Sequence, residues 1–439
     1  MNATRIIHSA RLVSGGTVTS DAWVAFTGDT VSAVGTGNGW HRLAGADSEA
    51  GSGLSLKPGP TTGSGWDSAA GGAASAENIV DARSRWLTPG FIDIHCHGAG
   101  GAAFDDGATG IRTALAVHRA HGTTRSVLSL VTASLPDLET RLETIALAAS
   151  DNPLILGAHL EGPFLDHAFR GAHDPALLRE ADAAATDRLL LASRGYLRQI
   201  TLAPELPGGL DAIARFVSAG VVVAVGHSAA DYAMASAAFD AGASVLTHAF
   251  NAMNGIHHRA PGPVVAAMRS GGVTLEVIND GVHVHPEVVR LAFAGAPGRI
   301  ALVTDAMAAT GFGDGSFRLG TLLVTVTDGV ARLVGAEGTR SAVGPGSSSV
   351  GGDPADAGAA SALGAIAGST LTLDEALRRA VQVVGLPIAE AVTALTETPA
   401  RAIGRAHDLG LLAPGFAADA VLLGDDFTVE AVFAAGQRL

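Results

Sequence analysis

Eight short apolar runs, each followed by a stretch that reads as helix, constrain this chain more than any other feature. The runs are GFIDIHCH (residues 90–97), TTRSVLSLVT (123–132), LILGAHLEG (154–162), QITLAPE (199–205), VVVAVGHS (221–228), SVLTHAFN (244–251), TLEVINDGVH (274–283) and IALVTDAM (300–307). Segments such as ATGIRTALAVHRAHG and ADYAMASAAFDAGA lie between them. Near-continuous apolar strands in α/β alternation belong in a parallel sheet covered on both faces. Eight strand–helix units in over 200 residues fit a (β/α)8 TIM-like barrel. An open doubly wound sheet is the competing arrangement.

The chain ends differ from its middle. The opening RIIHSARLVSGGTVTSDAWVAFTGDTVSAVG and the tail GLLAPGFAADAVLLGDDFTVEAVFAAGQRL read as short strands broken by turns. They are expected to meet in a small β-sandwich domain built from residues 1–85 and 405–439, with the barrel occupying 86–404. Two Gly/Ser-rich stretches, 44–78 and 336–360, read as a flexible surface insertion and a loop or lid. VTVTDGVARLVG, ahead of the second, reads as a hairpin.

In a β/α barrel, chemistry gathers at the C-terminal ends of the strands. The residues that fall there are His95 and His97 on strand one, Glu161 on three, His227 on five, His248 on six, His283 on seven and Asp305 on eight. With 16 histidines in 439 residues, about half an HxH pair arises by chance, so that motif alone says little. The joint placement is what carries the signal. Side chains alternate along a strand, so His95 and His97 point into the barrel and Cys96 points outward, a buried small hydrophobe rather than a redox centre.

Imidazole and carboxylate ligands together suit zinc or another divalent first-row metal. Glu161, His227 and His248 supply three ligands and leave a position for water, the pattern of a catalytic site. Asp305 is the natural general base; a salt-bridged or helix-capping carboxylate is its structural alternative. His159 shares a face with Glu161, and both packing and ligation stay open for it.

HxH after strand one, ligands on strands five and six, and an Asp on strand eight resemble the amidohydrolase superfamily. Many members bridge two metals with a carboxylated lysine on strand four. Here the only lysine is Lys57, in the 44–78 insertion, so a glutamate on strand three takes that role. Within the superfamily the chain resembles the N-acetylglucosamine-6-phosphate deacetylase family, through PGFIDIHCHG, HLEGPF, GAHDP, GHS, THAFNAM, NDGVHV, VTDAM, IAGSTLTLDEAL and PARAIG in that order.

The resemblance implies metal ligation by Glu161, His227 and His248, and catalysis by Asp305. It implies substrate contacts from Ala172, His173, Asn251, Ala252, Arg259, His283, Ile366, Ala367 and Gly368. One or two ions are expected, the second at His95 and His97, and a homodimer. A phosphate needs a cationic clamp; lacking a suitable lysine, Arg259 with His258 or His283 is the candidate. The reaction implied is hydrolysis of the acetamide of N-acetylglucosamine 6-phosphate. Another amidohydrolase, such as an N-acyl-amino-acid deacylase or a cyclic-amide hydrolase, is the alternative within enzymes; a silent scaffold barrel is the alternative outside them.

Composition bounds the partners. A formal net charge of −14 argues against nucleic acid or an anionic membrane as the main partner. A single cysteine, no apolar run of membrane-spanning length and no apolar leader core lead us to expect a cytoplasmic protein.

Overall fold

The computed structural model describes residues 4–44, 78–334 and 364–439. The 336–360 stretch, Lys57 and all but the end residues of 44–78 lie outside the described residues.

All eight expected strands form. They are Phe91–Cys96, Thr123–Val131, Ile155–Glu161, Leu197–Leu202, Val222–Val225, Val245–Leu246, Thr274–Ile278 and Ile300–Val303, hereafter barrel strands one to eight. Helices Gly107–Ala120, Leu135–Asp151, Ala183–Ala192, Gly209–Ser218, Tyr232–Asp240, Gly262–Arg269 and Pro286–Gly295 fall between them. Each strand pairs in parallel with its neighbour in sequence and the order never reverses, which excludes the doubly wound alternative.

Local chemistry starts the helices where the strands end. Ser134, Asp182 and Asp231 cap three of them, their side-chain oxygens accepting from the N–H groups of Asp137, Ala185 and Met234. Apolar faces then settle on the sheet; Leu138, Leu142 and Ile145 of one helix are buried in the main core.

The joint between strands eight and one is made at their C-terminal ends. Asp305 N–H donates to the His95 carbonyl at 2.8 Å, and the N–H groups of His97 and Gly98 donate to Ala306 O at 2.8 and 3.0 Å. Below them Asp93, wholly buried, accepts from the Thr304 hydroxyl at 2.6 Å. Burial raises the Asp93 carboxyl to about 6 despite that bond. The closure therefore binds together the two strands that carry His95, His97 and Asp305.

Both chain ends enter one sheet in the order Gln437–Arg438, Val429–Ala434, Ala420–Leu423, Trp86–Pro89, Thr4–Ser14, Thr17–Thr27, Thr30–Thr36, with Ile79–Asp81 paired to Thr4–Ser14. Phe26 and Phe433 sit four strand steps apart in this sheet, about 19 Å if it were flat. Their rings meet edge-on at 6.3 Å, so the sheet folds over its own core of Ile7, Val24, Leu87, Leu422 and Phe433. A buried pair joins it to the barrel: Arg125 of strand two donates to both Asp419 oxygens at 2.6 and 3.2 Å.

After strand eight the expected hairpin appears as Leu322–Thr327 and Val330–Leu333, extended by Gly315–Leu319 into three antiparallel strands. The helical stretch at 388–404 divides into Ile388–Leu395 and Glu397–Ala402. Pro399 has no N–H for the Leu395 carbonyl, so the ladder breaks there.

Candidate metal centre

At the C-terminal mouth of the barrel five histidines converge on one glutamate. Glu161 ends strand three and is buried. Around its oxygens stand His227 Nε2 at 3.1 Å, His248 Nε2 at 3.2 Å, His97 Nε2 at 3.1 Å, His95 Nε2 at 3.4 Å and His173 Nε2 at 3.4 Å. The Nε2 atoms of His95 and His97 are 3.2 Å apart, and those of His227 and His248 are 3.0 Å apart. Two groups have ligand atoms lying within 4.8 Å of one another: His95, His97 and Glu161, and Glu161, His173 and His227. Glu161 is common to both.

Three of these positions are held in unusual backbone. His227, His248 and Asp305 have φ of 50°, 26° and 48°. Non-glycine residues rarely occupy this region, and such conformations cost about 1–3 kcal/mol each. Each falls just after a barrel strand, where the chain must turn sharply to aim a side chain across the mouth. Glu205 braces the first turn, accepting from Ser228 Oγ at 2.6 Å and Ala229 N–H at 2.5 Å. Asn251 and Ala252 brace the second: Asn251 Nδ2 donates to His248 O at 3.1 Å, and Ala252 O accepts from Ser228 N–H at 3.2 Å.

Asp305 lies against the HxH pair, its Oδ1 3.3 Å from His97 Nε2 and 3.5 Å from His95 Nε2. Burial would raise its carboxyl, but the two histidines hold it down to about 2. Burial would likewise raise Glu161, yet the charge of His95 and contacts from His173, His227 and His248 keep it well below the carboxylate range. His95 answers in the opposite sense: burial lowers it, and Glu161, Asp305 and Glu276 raise it well above an ordinary histidine.

The donor set fits a divalent cation. Among the described residues, every ion-pair partner of Glu161 and Asp305 is a histidine. The ring tautomers sharpen the point. His227 Nδ1–H donates to the Phe169 carbonyl at 2.9 Å, and His95 Nδ1–H donates to Glu276 at 2.9 Å. In the neutral rings Nε2 then carries a lone pair aimed at a carboxylate oxygen. Two such lone pairs beside an anion are repulsive unless positive charge stands among them, as ring protons or as a metal ion.

His173 shows the same preference. The Thr132 hydroxyl donates to Glu161 O at 3.0 Å and so receives the His173 Nδ1–H, at 2.9 Å. Burial lowers this imidazole to about 4. The neutral ring presents a lone pair, not a proton, to the site. His159 is settled differently: its two ring nitrogens lie 2.8 Å from Ser129 Oγ and 2.8 Å from Thr201 Oγ1. Both are engaged by hydroxyls, so His159 packs beneath the centre, edge-on to His95. Cys96 faces the helices as expected, in the apolar core, and burial pushes its thiol up.

The remaining sequence candidates divide into two sets. Ala172 is buried next to His173. Ile366, Ala367 and Gly368 lead from the hairpin to the turn after strand eight: Ala367 N–H donates to Ala331 O, and Ser369 N–H to Asp305 O at 2.7 Å. Gly368 has φ 65°, and a Cβ there would meet the Asp305 carbonyl at 3.0 Å, so no larger residue fits easily. Arg259, by contrast, is exposed beside His257 and His258, and its guanidinium makes no ion pair among the described residues. The His283 ring is bound to Asp280, Nδ1 to Oδ2 at 2.6 Å.

Sequence reasoning missed Asp93, Gln199, Glu205 and Glu276. Asp93 and Glu276 had a readable signal, a carboxylate inside an otherwise apolar strand run: FIDI and TLEVI.

Known proteins place this architecture. Residues 86–439 match the model of the Amidohydrolase family. The chain is 36% identical over 364 residues to the N-acetylgalactosamine-6-phosphate deacetylase of Escherichia coli O157:H7, covering 82% of this chain and 89% of that protein. It is 34% identical over 355 residues to the N-acetylglucosamine-6-phosphate deacetylase of Vibrio furnissii, covering 80% and 82%. It superposes with a TM-score of 0.81 and 37% identity on a mutant N-acetyl-D-glucosamine-6-phosphate deacetylase from Mycobacterium smegmatis, solved in complex with N-acetyl-D-glucosamine-6-phosphate, over 99% of both chains. A match over the whole barrel, with a His/Glu centre able to hold metal at its mouth, leads to one conclusion: the chain belongs to the amidohydrolase family.

Proposed function

We propose that this chain is a deacetylase that hydrolyses the acetamide of N-acetylglucosamine 6-phosphate to glucosamine 6-phosphate and acetate, in amino-sugar catabolism. The observation that carries the reading is Glu161 standing between two histidine groups with Asp305 beside it. The names of the relatives supply the substrate. The Escherichia coli relative favours the galactosamine epimer as a second reading.

In this proposal Glu161, His227 and His248 would hold a zinc ion, and His95 and His97 with Glu161 would hold a second. When bound, zinc would supply Lewis acidity for the acetyl carbonyl and lower the pKa of water to near neutrality. Asp305, ionised at neutral pH, takes a proton from the attacking water. Water oxygen bonds to the acetyl carbon, the C–N bond breaks, and Asp305 returns the proton to the departing amine. His173, in its Nδ1–H tautomer, receives a hydrogen bond at the acetamide rather than donating one. Ala172 walls that side; Asn251 and Ala252, beside His248, and Ile366, Ala367 and Gly368, beside Asp305, complete the contacts to substrate. Arg259 and His283 take the phosphate, Arg259 as a free cation at the mouth. Residues 86–404 form the catalytic barrel, and 1–85 with 405–439 its supporting domain. We place the working enzyme in the cytoplasm as a homodimer, with neither nucleic acid nor membrane as partner; no helix among the described residues is long and apolar enough to cross a membrane.

The test is acetate release from the 6-phosphates of N-acetylglucosamine and N-acetylgalactosamine, with an N-acetyl amino acid as control, by chelator-stripped and zinc-reloaded protein. Release from a sugar phosphate should depend on zinc and exceed that from the acyl amino acid. Equal rates without metal, or preference for the acyl amino acid, would overturn the reading.

A further inference from the structure

Glu276 is a carboxylate with no solvent exposure in the middle of barrel strand seven. Three donors surround it. His95 Nδ1–H donates to Oε2 at 2.9 Å, Gln199 Nε2 donates to Oε1 at 2.8 Å, and the His248 amide approaches Oε2 at a longer 3.3 Å. The first of these matters most for the centre. In the neutral ring a metal requires, it fixes the proton on Nδ1 and leaves Nε2, 3.2 Å from His97 Nε2 and 3.4 Å from Glu161 Oε1, as the ligand atom. Rotation of the His95 ring would break that bond and strand a wholly buried carboxylate oxygen. A carboxylate behind an imidazole also makes the far nitrogen a stronger ligand.

We infer that Glu276 is a positioning residue for the metal centre: it sets the tautomer, orientation and basicity of His95, and through His95 the affinity for the ion shared by His95, His97 and Glu161. The inference rests on the metal reading proposed above. Glu276 itself touches neither substrate nor ion; its shorter histidine bond reaches His95 across 181 positions of sequence, and the backbone contact to His248 is longer and does not involve that ring.

The test titrates zinc into metal-free wild type and the variants Glu276→Gln, Glu276→Ala, His95→Ala and His95→Ala/Glu276→Ala, in competition with a chromophoric chelator. E276Q keeps an acceptor for His95 but loses the charge. Its new amide can be received by Gln199, whose Oε1 has no partner among the described residues. Wild type should bind two ions. E276Q should weaken one of them about 10-fold and E276A about 100-fold, the range of such outer partners, with the other ion changed by less than about threefold. The double variant should bind no more weakly than H95A alone. Unchanged binding in both Glu276 variants, equal loss of both ions, additive losses in the double variant, or a wild type with a single ion indifferent to H95A would each overturn the inference. A wild type that takes up no zinc overturns the metal reading itself. If E276A does not fold, E276Q and its combination with H95A decide by the same criteria.

Discussion

Replacing Asp305 by Asn separates proton transfer from assembly of the centre. The substitution keeps the shape of the side chain, and Asn tolerates the left-handed backbone at φ 48° better than most residues. The barrel joint is untouched, because it runs through the Asp305 amide, the Ala306 carbonyl and the Asp93–Thr304 bond, not the Asp305 carboxylate. What is lost is the ability to take a proton. The carboxyl is held down to about 2 by His95 and His97, so it is ionised at neutral pH. Neither neighbouring glutamate can stand in: Glu161 is enclosed by histidines and Glu276 is saturated and buried. A positioned general base is worth about 10²- to 10⁴-fold, or about 3–5 kcal/mol of barrier. Because Asp305 both removes and returns the proton, the loss should reach about 10³-fold or more in kcat. Metal content should hold, since Glu161 remains at 3.1–3.4 Å from all its histidines. The assay is acetate release and zinc per chain on the same sample. A fall of less than about tenfold, or one that tracks lost zinc, would refute the reasoning.

Two further outcomes follow from particular side chains. Arg259→Ala should lose one charge-assisted contact, about 1.5–3 kcal/mol, seen as a fall of about 10- to 150-fold in kcat/KM for the 6-phosphate but not for N-acetylglucosamine itself; an equal fall for both would make Arg259 structural. His118 is wholly buried, 3.2 Å from the Gly98 carbonyl, and burial lowers its imidazole from 6.5 to about 4. The unfolded chain therefore binds the extra proton first, so stability is full above pH 6.5 and falls as the pH drops toward 4, by about 3 kcal/mol at most. His118→Gln keeps a donor for Gly98 and should flatten that part of the urea-midpoint profile between pH 7 and 4.5; parallel profiles would count against it.

Much of the site was legible because barrel geometry converts sequence position into spatial position. A polar residue at the end of an apolar run in α/β alternation faces the mouth, and His95, His97, Glu161, His227, His248 and Asp305 were all found that way. The residues proposed to contact substrate were less legible. Ala367 and Gly368 carry no polar side chain, and their closeness to Asp305 depends on a return of the chain after strand eight. Glu276 and Asp93 broke the apolar pattern of their strands, but nothing local says which partner a buried carboxylate will find.

The sequence by itself determined the eight strands, their inward and outward faces and the residues at their ends, because hydrophobic period and strand termini are local properties. Tertiary structure alone decided the rest. It brought Thr304 to Asp93 to close the barrel, Glu276 to His95 to set a tautomer, and His173 beside Glu161 with a lone pair instead of a proton. Each of these joins residues far apart in the chain, and the direction of a buried hydrogen bond is fixed by the whole set of neighbours at once.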